Sequence, residues 1–174
     1  AGQAVPILRC LDKLSKVGSE KMAEEMLTID GVDQAAVASL IALTEISGTT
    51  SEVLEASKNL VTDNDLFSSG LNELGDLIHG LTVAGVPASR VHLDLSIARG
   101  LDYYTGNIFE TFLDALPNIG SVCSGGRYDH LAETYTKTEL PGVGASLGLD
   151  RLLAAMQEIG AVDKRPMGAE IFAV

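Results

Sequence analysis

Val86-Pro87-Ala88-Ser89-Arg90-Val91-His92-Leu93-Asp94-Leu95-Ser96-Ile97 is the stretch where the texture of the chain changes. Val91, Leu93, Leu95 and Ile97 alternate with His92, Asp94 and Ser96, the period-two pattern of a half-buried strand. Before it, apolar residues recur at helical spacing; after it, short apolar runs are separated by Gly and Pro-Asn. This one change of period divides the chain into a helical part and a sheet-bearing part, and predicts an α+β protein.

Working back from that point, the pattern predicts five helices. Pro6 suits the first position of a helix, where no backbone donor is needed, and Ile7, Leu8, Leu11 and Leu14 follow at helical spacing until Gly18. A short helix is expected from Ser19 to Leu27. A third runs between Asp33 as N-cap and Gly48 as terminator, with Val37, Leu40, Ile41 and Leu43 on its apolar side. Thr49-Thr50-Ser51-Glu52 matches a capping box, opening a fourth helix that carries Val53, Leu54, Leu60 and Val61. The fifth, from Ser69 to Ala84, carries Leu71, Leu74, Leu77, Ile78 and Leu81. Nothing in this part calls for more than helices packing their apolar stripes together.

Working forward, Asn107 to Leu113, Ser121 to Ser124 and Leu140 to Leu147 read as further strands. Gly148 to Ile159 reads as a helix with Leu149, Leu152, Leu153 and Met156 inward. Strands that succeed one another without intervening helices predict an antiparallel sheet carrying a helix. Residues 1–85 are therefore expected as a helical region and 86–163 as the sheet-bearing unit. In 164–174, Lys164-Arg165-Pro166-Met167-Gly168 has the look of a linker, and Ala169 to Val174 of the first strand of a further domain.

Composition narrows the function classes. At 174 residues with 46% apolar and 21% charged residues, the chain has a globular makeup. No apolar run approaches the roughly 18–20 residues a membrane helix needs, and no secretory signal is visible. Cys10 and Cys123 stand far apart, and His79, His92 and His130 form no cluster, so a protein-built metal site is not expected. Reduced thiols in a cytoplasmic protein are the simple reading of the cysteines. A net charge of −12 makes the surface as a whole repel nucleic acid.

Three segments hold residue types that packing alone does not require. In Ala98-Arg99-Gly100-Leu101-Asp102-Tyr103-Tyr104-Thr105-Gly106, an arginine leaves a strand end and two tyrosines precede a second glycine. Arginine's planar fork suits a phosphate, and tyrosines give a flat apolar wall with a hydroxyl that can bond a ring nitrogen. A plain hairpin with a surface arginine is the alternative. In Ser124-Gly125-Gly126-Arg127-Tyr128-Asp129, paired glycines after a strand let a ligand lie on bare backbone; a simple β-turn is the alternative. Gly142-Val143-Gly144-Ala145-Ser146-Leu147-Gly148-Leu149-Asp150-Arg151 is a glycine-studded strand entering a helix that presents an arginine in its first turn. Its glycines would make a floor for a planar base, with Arg151 stacking over it or reaching a phosphate. A dinucleotide fingerprint fits poorly, because the spacing differs and no parallel βαβ unit follows.

Taken in order, these blocks resemble the second half of the catalytic domain of histidyl-tRNA synthetases. The likeness is strong over Val91 to Ile159 and weaker at Leu11-Asp12-Lys13-Leu14. Arg99 to Gly106 looks like the family's first histidine-binding signature, and Gly125 to Asp129 like its second. Gly142 to Arg151 is similar to motif 3 of the class II aminoacyl-tRNA synthetases. The helical region would then correspond to the end of the segment after motif 2 plus the helical insertion of that family. Motif 1, motif 2 and the anticodon-binding domain are not recognisable in the chain.

The resemblance implies activation of histidine by ATP to histidyl-adenylate, then transfer to the histidine tRNA, in a homodimeric cytoplasmic parent protein. Arg99 would contact the α-phosphate and histidine carboxylate. Tyr104 and Tyr128, with Tyr103 beside them, would contact the imidazole and amino group over a floor of Gly125 and Gly126. Gly144, Ser146 and Gly148 would line adenosine, and Arg151 would clamp adenine or the outer phosphates. Mg²⁺ would accompany ATP, held mainly by phosphates and water. Arg127 is expected as a solvated charge, and Asp102, Asp129 and Asp150 as turn caps or arginine holders. Missing motif 2, the chain alone is not expected to make adenylate. Two relatives of different function share parts of the pattern: the histidine-sensing regulatory subunit of ATP phosphoribosyltransferase, and the RNA-sensing domain of a regulatory kinase. Arg99, Arg151 and both histidine signatures favour the synthetase.

Overall fold

The computed structural model describes residues 2–61, 63–100 and 103–162. Leu101 and Asp102, along with the expected linker and strand in 164–174, lie outside these. The described chain runs α1 (Ala4–Leu11), α2 (Leu14–Leu27), α3 (Gln34–Thr44), α4 (Thr50–Leu60) and α5 (Asp65–Val83). It continues with β1 (Ile108–Thr111), β2 (Cys123–Tyr128), β3 (Gly142–Leu147) and α6 (Leu149–Glu158). The α-helices thus come first and the strands follow, with only the short 3-10 turns Pro117–Ile119 and Leu131–Thr134 between them among the described residues.

Side-chain caps account for the starts of α3, α4 and α5. Asp33 caps α3 by accepting from the Ala36 N–H at 2.8 Å. At α4 both halves of the capping box form: the Glu52 N–H donates to Thr49 Oγ1 at 3.4 Å, and the Thr49 N–H donates to Glu52 Oε2 at 2.8 Å. Three expectations need correction. The single helix read from Pro6 to Gly18 is broken at Asp12-Lys13, and Gly18 (φ +82°) then kinks α2 before Ser19. The third helix stops at Thr44 rather than Gly48. The fifth starts four residues before Ser69, because Asn64 Oδ1 accepts from the Phe67 N–H at 2.9 Å and caps it there.

The helical core is Cys10, Leu11, Met22, Met26 and Val37, with Ile7, Leu14, Leu40 and Ile41 packed around it. Ala98 belongs to the same cluster. It pins the chain that leaves the helices to their core just before the sheet begins.

Val91 to Ile97, expected as a strand, do not form one. Val91, Leu93 and Leu95 are half-buried while His92 and Asp94 are exposed, so the alternation is real. No ladder accompanies it among the described residues. Asp94 turns the backbone instead: its Oδ1 accepts from the Ser96 N–H at 2.8 Å and from the Ser96 hydroxyl at 2.6 Å. Alternating burial thus marks an extended segment lying against the helices.

The sheet is three-stranded and antiparallel, in the order β1-β2-β3. Its register pairs Ile108 with Gly126 and Glu110 with Ser124, then Gly126 with Gly144 and Ser124 with Ser146. Since side chains alternate faces, Ile108, Glu110, Ser124, Gly126, Tyr128, Gly142, Gly144 and Ser146 share one face. The paired glycines do not follow a strand or form a turn; β2 continues through Gly125 and Gly126 to Tyr128. Gly125 shows why: a Cβ there would come 2.2 Å from the Gly144 carbonyl oxygen and 2.5 Å from Phe109 Cζ.

Candidate active site

Arg99 is placed by its neighbours on either side. Ala98 is anchored in the helical core, and Gly100 takes a left-handed φ of +64°, so the chain reverses and throws the intervening side chain out over the sheet. There Arg99 Nε meets Glu110 Oε1 at 3.1 Å. The two partners differ sharply in exposure: the Arg99 side chain is 59% exposed, that of Glu110 only 6%. Their approach is close enough for an ion pair but out of line for a hydrogen bond, and Glu110 Oε1 has no hydrogen-bond partner among the described residues.

The turn after Gly100 brings the tyrosines in. The Tyr103 and Tyr104 N–H groups donate to the Gly100 carbonyl at 3.1 and 2.9 Å, and the two rings lie 4.3 Å apart, tilted by 52°. Tyr104 presses onto two glycines: a Cβ on Gly100 would lie 1.9 Å from its ring, and one on Gly126 2.9 Å from it. Hydrogen bonding to Tyr103, then desolvation and the nearby Tyr103 and Tyr128, raise the Tyr104 pKa above that of an ordinary phenol. Tyr104 is therefore a neutral donor at neutral pH.

A cavity of about 410 Å³ opens beside these groups, lined in part by Arg99, Gly100, Tyr103, Tyr104, Ser124 and Gly125. Arg9 and Asp12 of the first helix form part of its wall as well. A second cavity of about 660 Å³ is lined by Ser146, Gly148 and Arg151, and shares Arg99, Glu110 and Ser124 with the first. Arg99 stands where the two meet. Arg151 is held by donating from Nη1 to the Ser121 carbonyl, while the Gly148 N–H donates to the Val122 carbonyl at 2.8 Å. β3 and the first turn of α6 are thereby fastened to the end of the loop that enters β2.

The remaining candidates are on the same sheet face but off the cavity walls. Gly126 lies beneath Tyr104. The ring of Tyr128 covers Gly142 and Gly144, where an added Cβ would fall 2.5 and 2.6 Å from its atoms. The floor expected for a base at Gly144 is thus occupied by a tyrosine, and the second cavity reaches only Ser146 and Gly148. Arg127 points outward, 3.0 Å from Asp129. Burial works against the Asp129 carboxylate, but hydrogen bonds from Thr105 and Arg127 outweigh it and lower its pKa. The Asp129 N–H in turn donates to Thr105 Oγ1 at 3.0 Å, tying the first tyrosine turn to the end of β2.

Sequence reasoning missed Glu110, Ser124, Arg9 and Asp12. Glu110 carries no sequence signal, because only the register that pairs it with Ser124 puts it on the cavity side of the sheet. Arg9 and Asp12 carry no such signal, because only the tertiary fold brings the first helix to the sheet.

An antiparallel sheet with glycines at its centre, an arginine-bearing helix after its last strand and an arginine over its floor is the architecture of a class II aminoacyl-tRNA synthetase core. A family model described as histidyl-tRNA synthetase matches residues 7–152. The histidine–tRNA ligase of Rhodopirellula baltica is 50% identical over 160 residues, covering 92% of this chain and 36% of that protein. That of Finegoldia magna is 46% identical over 155 residues, 89% of this chain and 36% of its own length. The crystal structure of histidyl-tRNA synthetase from Nostoc superposes with a TM-score of 0.84 at 36% identity, covering 93% of this chain and 38% of that one. A Bacillus halodurans structure, an ATP phosphoribosyltransferase regulatory subunit/histidyl-tRNA synthetase, has a TM-score of 0.69. At 24% identity, with 85% of this chain and 37% of that one covered, it shares the fold. The chain belongs to the histidyl-tRNA synthetase family. It spans a little over a third of the length of these relatives.

Proposed function

We propose that the full-length protein carrying this segment is a histidine–tRNA ligase, which activates histidine with ATP and passes it to the histidine tRNA. The observation that carries the proposal is Arg99 at the junction of two cavities, one walled by tyrosines and the other by an arginine-bearing helix start.

The first cavity takes the amino acid. Tyr103 and Tyr104 offer an apolar wall with hydroxyls for the imidazole and amino group, and the Gly125 backbone borders the same cavity. Tyr128 supports that wall from beyond Gly126. The second cavity takes the nucleotide: Ser146 and Gly148 bound the adenosine, and Arg151 clamps the adenine or the outer phosphates. Gly144 contributes by admitting the Tyr128 ring. The carboxylate of the amino acid is already a nucleophile, so activation needs little proton transfer. The work is to hold it in line with the α-phosphate and to neutralise charge developing there. Arg99 lies between both substrates and supplies that charge.

ATP enters as its Mg²⁺ complex, with the ion held by phosphate oxygens and water. Among the described residues no group of three or more His, Cys, Asp or Glu is placed to hold a metal. No helix among them is long and apolar enough to cross a membrane. Transfer to tRNA and assembly as a homodimer belong to the full-length protein, as does work in the cytoplasm.

The test is pyrophosphate exchange into ATP by the full-length protein. Exchange should depend on histidine, and Arg99→Ala should lower kcat by about 100-fold or more, the usual loss when a transition-state charge donor is removed. Histidine binding with no exchange would identify a histidine sensor instead.

A further inference from the structure

Glu110 is the one charged side chain the sequence reading passed over that sits deep in the site. Its position on β1 is not one that packing demands. It faces Ser124 across the strand pair and borders both cavities, and a carboxylate so buried is costly unless a charge meets it. The charge that meets it is Arg99, whose Nε comes within 3.1 Å of Oε1. A guanidinium gripped at Nε keeps its two terminal nitrogens free, and among the described residues neither has a hydrogen-bond partner in the protein. That edge is the fork that accepts two oxygens of a phosphate or carboxylate at once.

We infer that Glu110 is the positioning residue for Arg99: its buried carboxylate holds the Nε edge so that the terminal nitrogens face the junction of the two cavities. The inference rests on the proposed histidine activation, because it gives the held guanidinium its task. The Arg99 side chain is long and more than half exposed, and it precedes a turn that depends on glycine. Without a fixed counter-charge it would sample many rotamers, and only some would point at the α-phosphate. Glu110 is fixed by a strand with its side chain only 6% exposed, so it turns one of those rotamers into the resting state. The misalignment of the present contact leaves Oε1 with unused accepting capacity, which a small rotation of the guanidinium onto a bound phosphate would take up.

The experiment is a double-mutant cycle in the full-length protein with Glu110→Gln and Arg99→Ala, followed by histidine-dependent pyrophosphate exchange and by thermal unfolding. Glu110→Gln should lower kcat by about 100-fold, as misplacing a catalytic group by an ångström does, with KM for histidine and ATP little changed. In the Arg99→Ala background the same substitution should cost nothing further, and Glu110→Asp should recover part of the rate. Arg99→Ala should lower Tm, since it leaves a buried carboxylate without its partner, and adding Glu110→Gln should restore it. Equal loss of rate in both backgrounds, or wild-type kcat for Glu110→Gln, overturns the inference. So does unfolding by Glu110→Gln in both backgrounds, which would assign the carboxylate to the fold alone. If the wild-type protein shows no histidine-dependent exchange, the proposed function fails first, and the Tm cycle still reports on whether Glu110 holds Arg99.

Discussion

Gly100 shows how much of the site depends on a residue with no side chain. Its φ of +64° would cost an alanine about 1–2 kcal/mol. The added methyl would also lie 1.9 Å from Tyr104 Cδ2, with no room to relax except by moving the ring. Gly100→Ala should therefore swing Tyr104 off Gly126 and change the direction in which Arg99 leaves the core. A histidine titration of the full-length protein by calorimetry should show affinity weakened about 5- to 30-fold, the equivalent of the same 1–2 kcal/mol taken from the binding-competent state. Unchanged affinity would mean that Tyr104 does not touch the amino acid. At this scale the arginines and tyrosines were legible because their chemistry is unusual in turns. Glu110 was not, since a glutamate in a strand ordinarily faces water, and only the register with Ser124 shows that it does not. Tyr128 was legible as a site residue but not as the cover over Gly142 and Gly144, because which glycine a ring lies on depends on strand pairing.

Among the elements, α4 offers a direct check on local physics. Its start is capped by Thr49 and Glu52, with Thr50 Oγ1 also donating to the Val91 carbonyl at 3.1 Å, and the Glu52 carboxylate pKa is lowered by the Thr49 backbone N–H first and the Thr49 hydroxyl second. A carboxylate with a lowered folded-state pKa adds stability that is complete above its unfolded pKa and fades as pH falls through the folded one. Acidification below the ordinary glutamate range should thus loosen α4, and Glu52→Gln should remove that part of the pH dependence in a series of thermal melts. Thr49→Ala should cost about 1 kcal/mol at neutral pH, the usual value of a lost N-cap. No change in Tm for Thr49→Ala would show that α4 is held by its packing of Val53 and Ser57 and not by its cap. The capping box could be read from sequence because its partners are three residues apart. The strand expected at Val91–Ile97 could not be judged that way, since a strand exists only through a neighbour distant in sequence. Asp94 took the backbone of Ser96 locally before any neighbour could.

For the whole molecule, the two faces of the sheet have opposite characters. One carries Glu110, Ser124 and Ser146 toward the cavities. The other presents Phe109, Val143, Ala145 and Leu147 beside Arg127, with Val143 75% and Leu147 65% exposed, and Leu147 and the 73% exposed Leu149 of α6 also reach the wall of the second cavity. An antiparallel sheet is stable with one wet face only when that face is polar, and a contiguous apolar patch of this kind marks a surface that becomes covered. Among the described residues, the cations lining the cavities are Arg9, Arg99 and Arg151. A triphosphate brings more negative charge than Arg99 and Arg151 can oppose while one is tied to Glu110 and the other to the Ser121 carbonyl. The 174-residue segment by itself should consequently bind an apolar dye and self-associate with rising concentration in sedimentation, while giving no histidine-dependent pyrophosphate exchange. The full-length protein should do the reverse on each count. Exchange by the segment alone would show that Arg99, Arg151 and Arg9 are sufficient to neutralise the transferring phosphate. The charge argument for needing further groups would then fail, even with the site correctly placed.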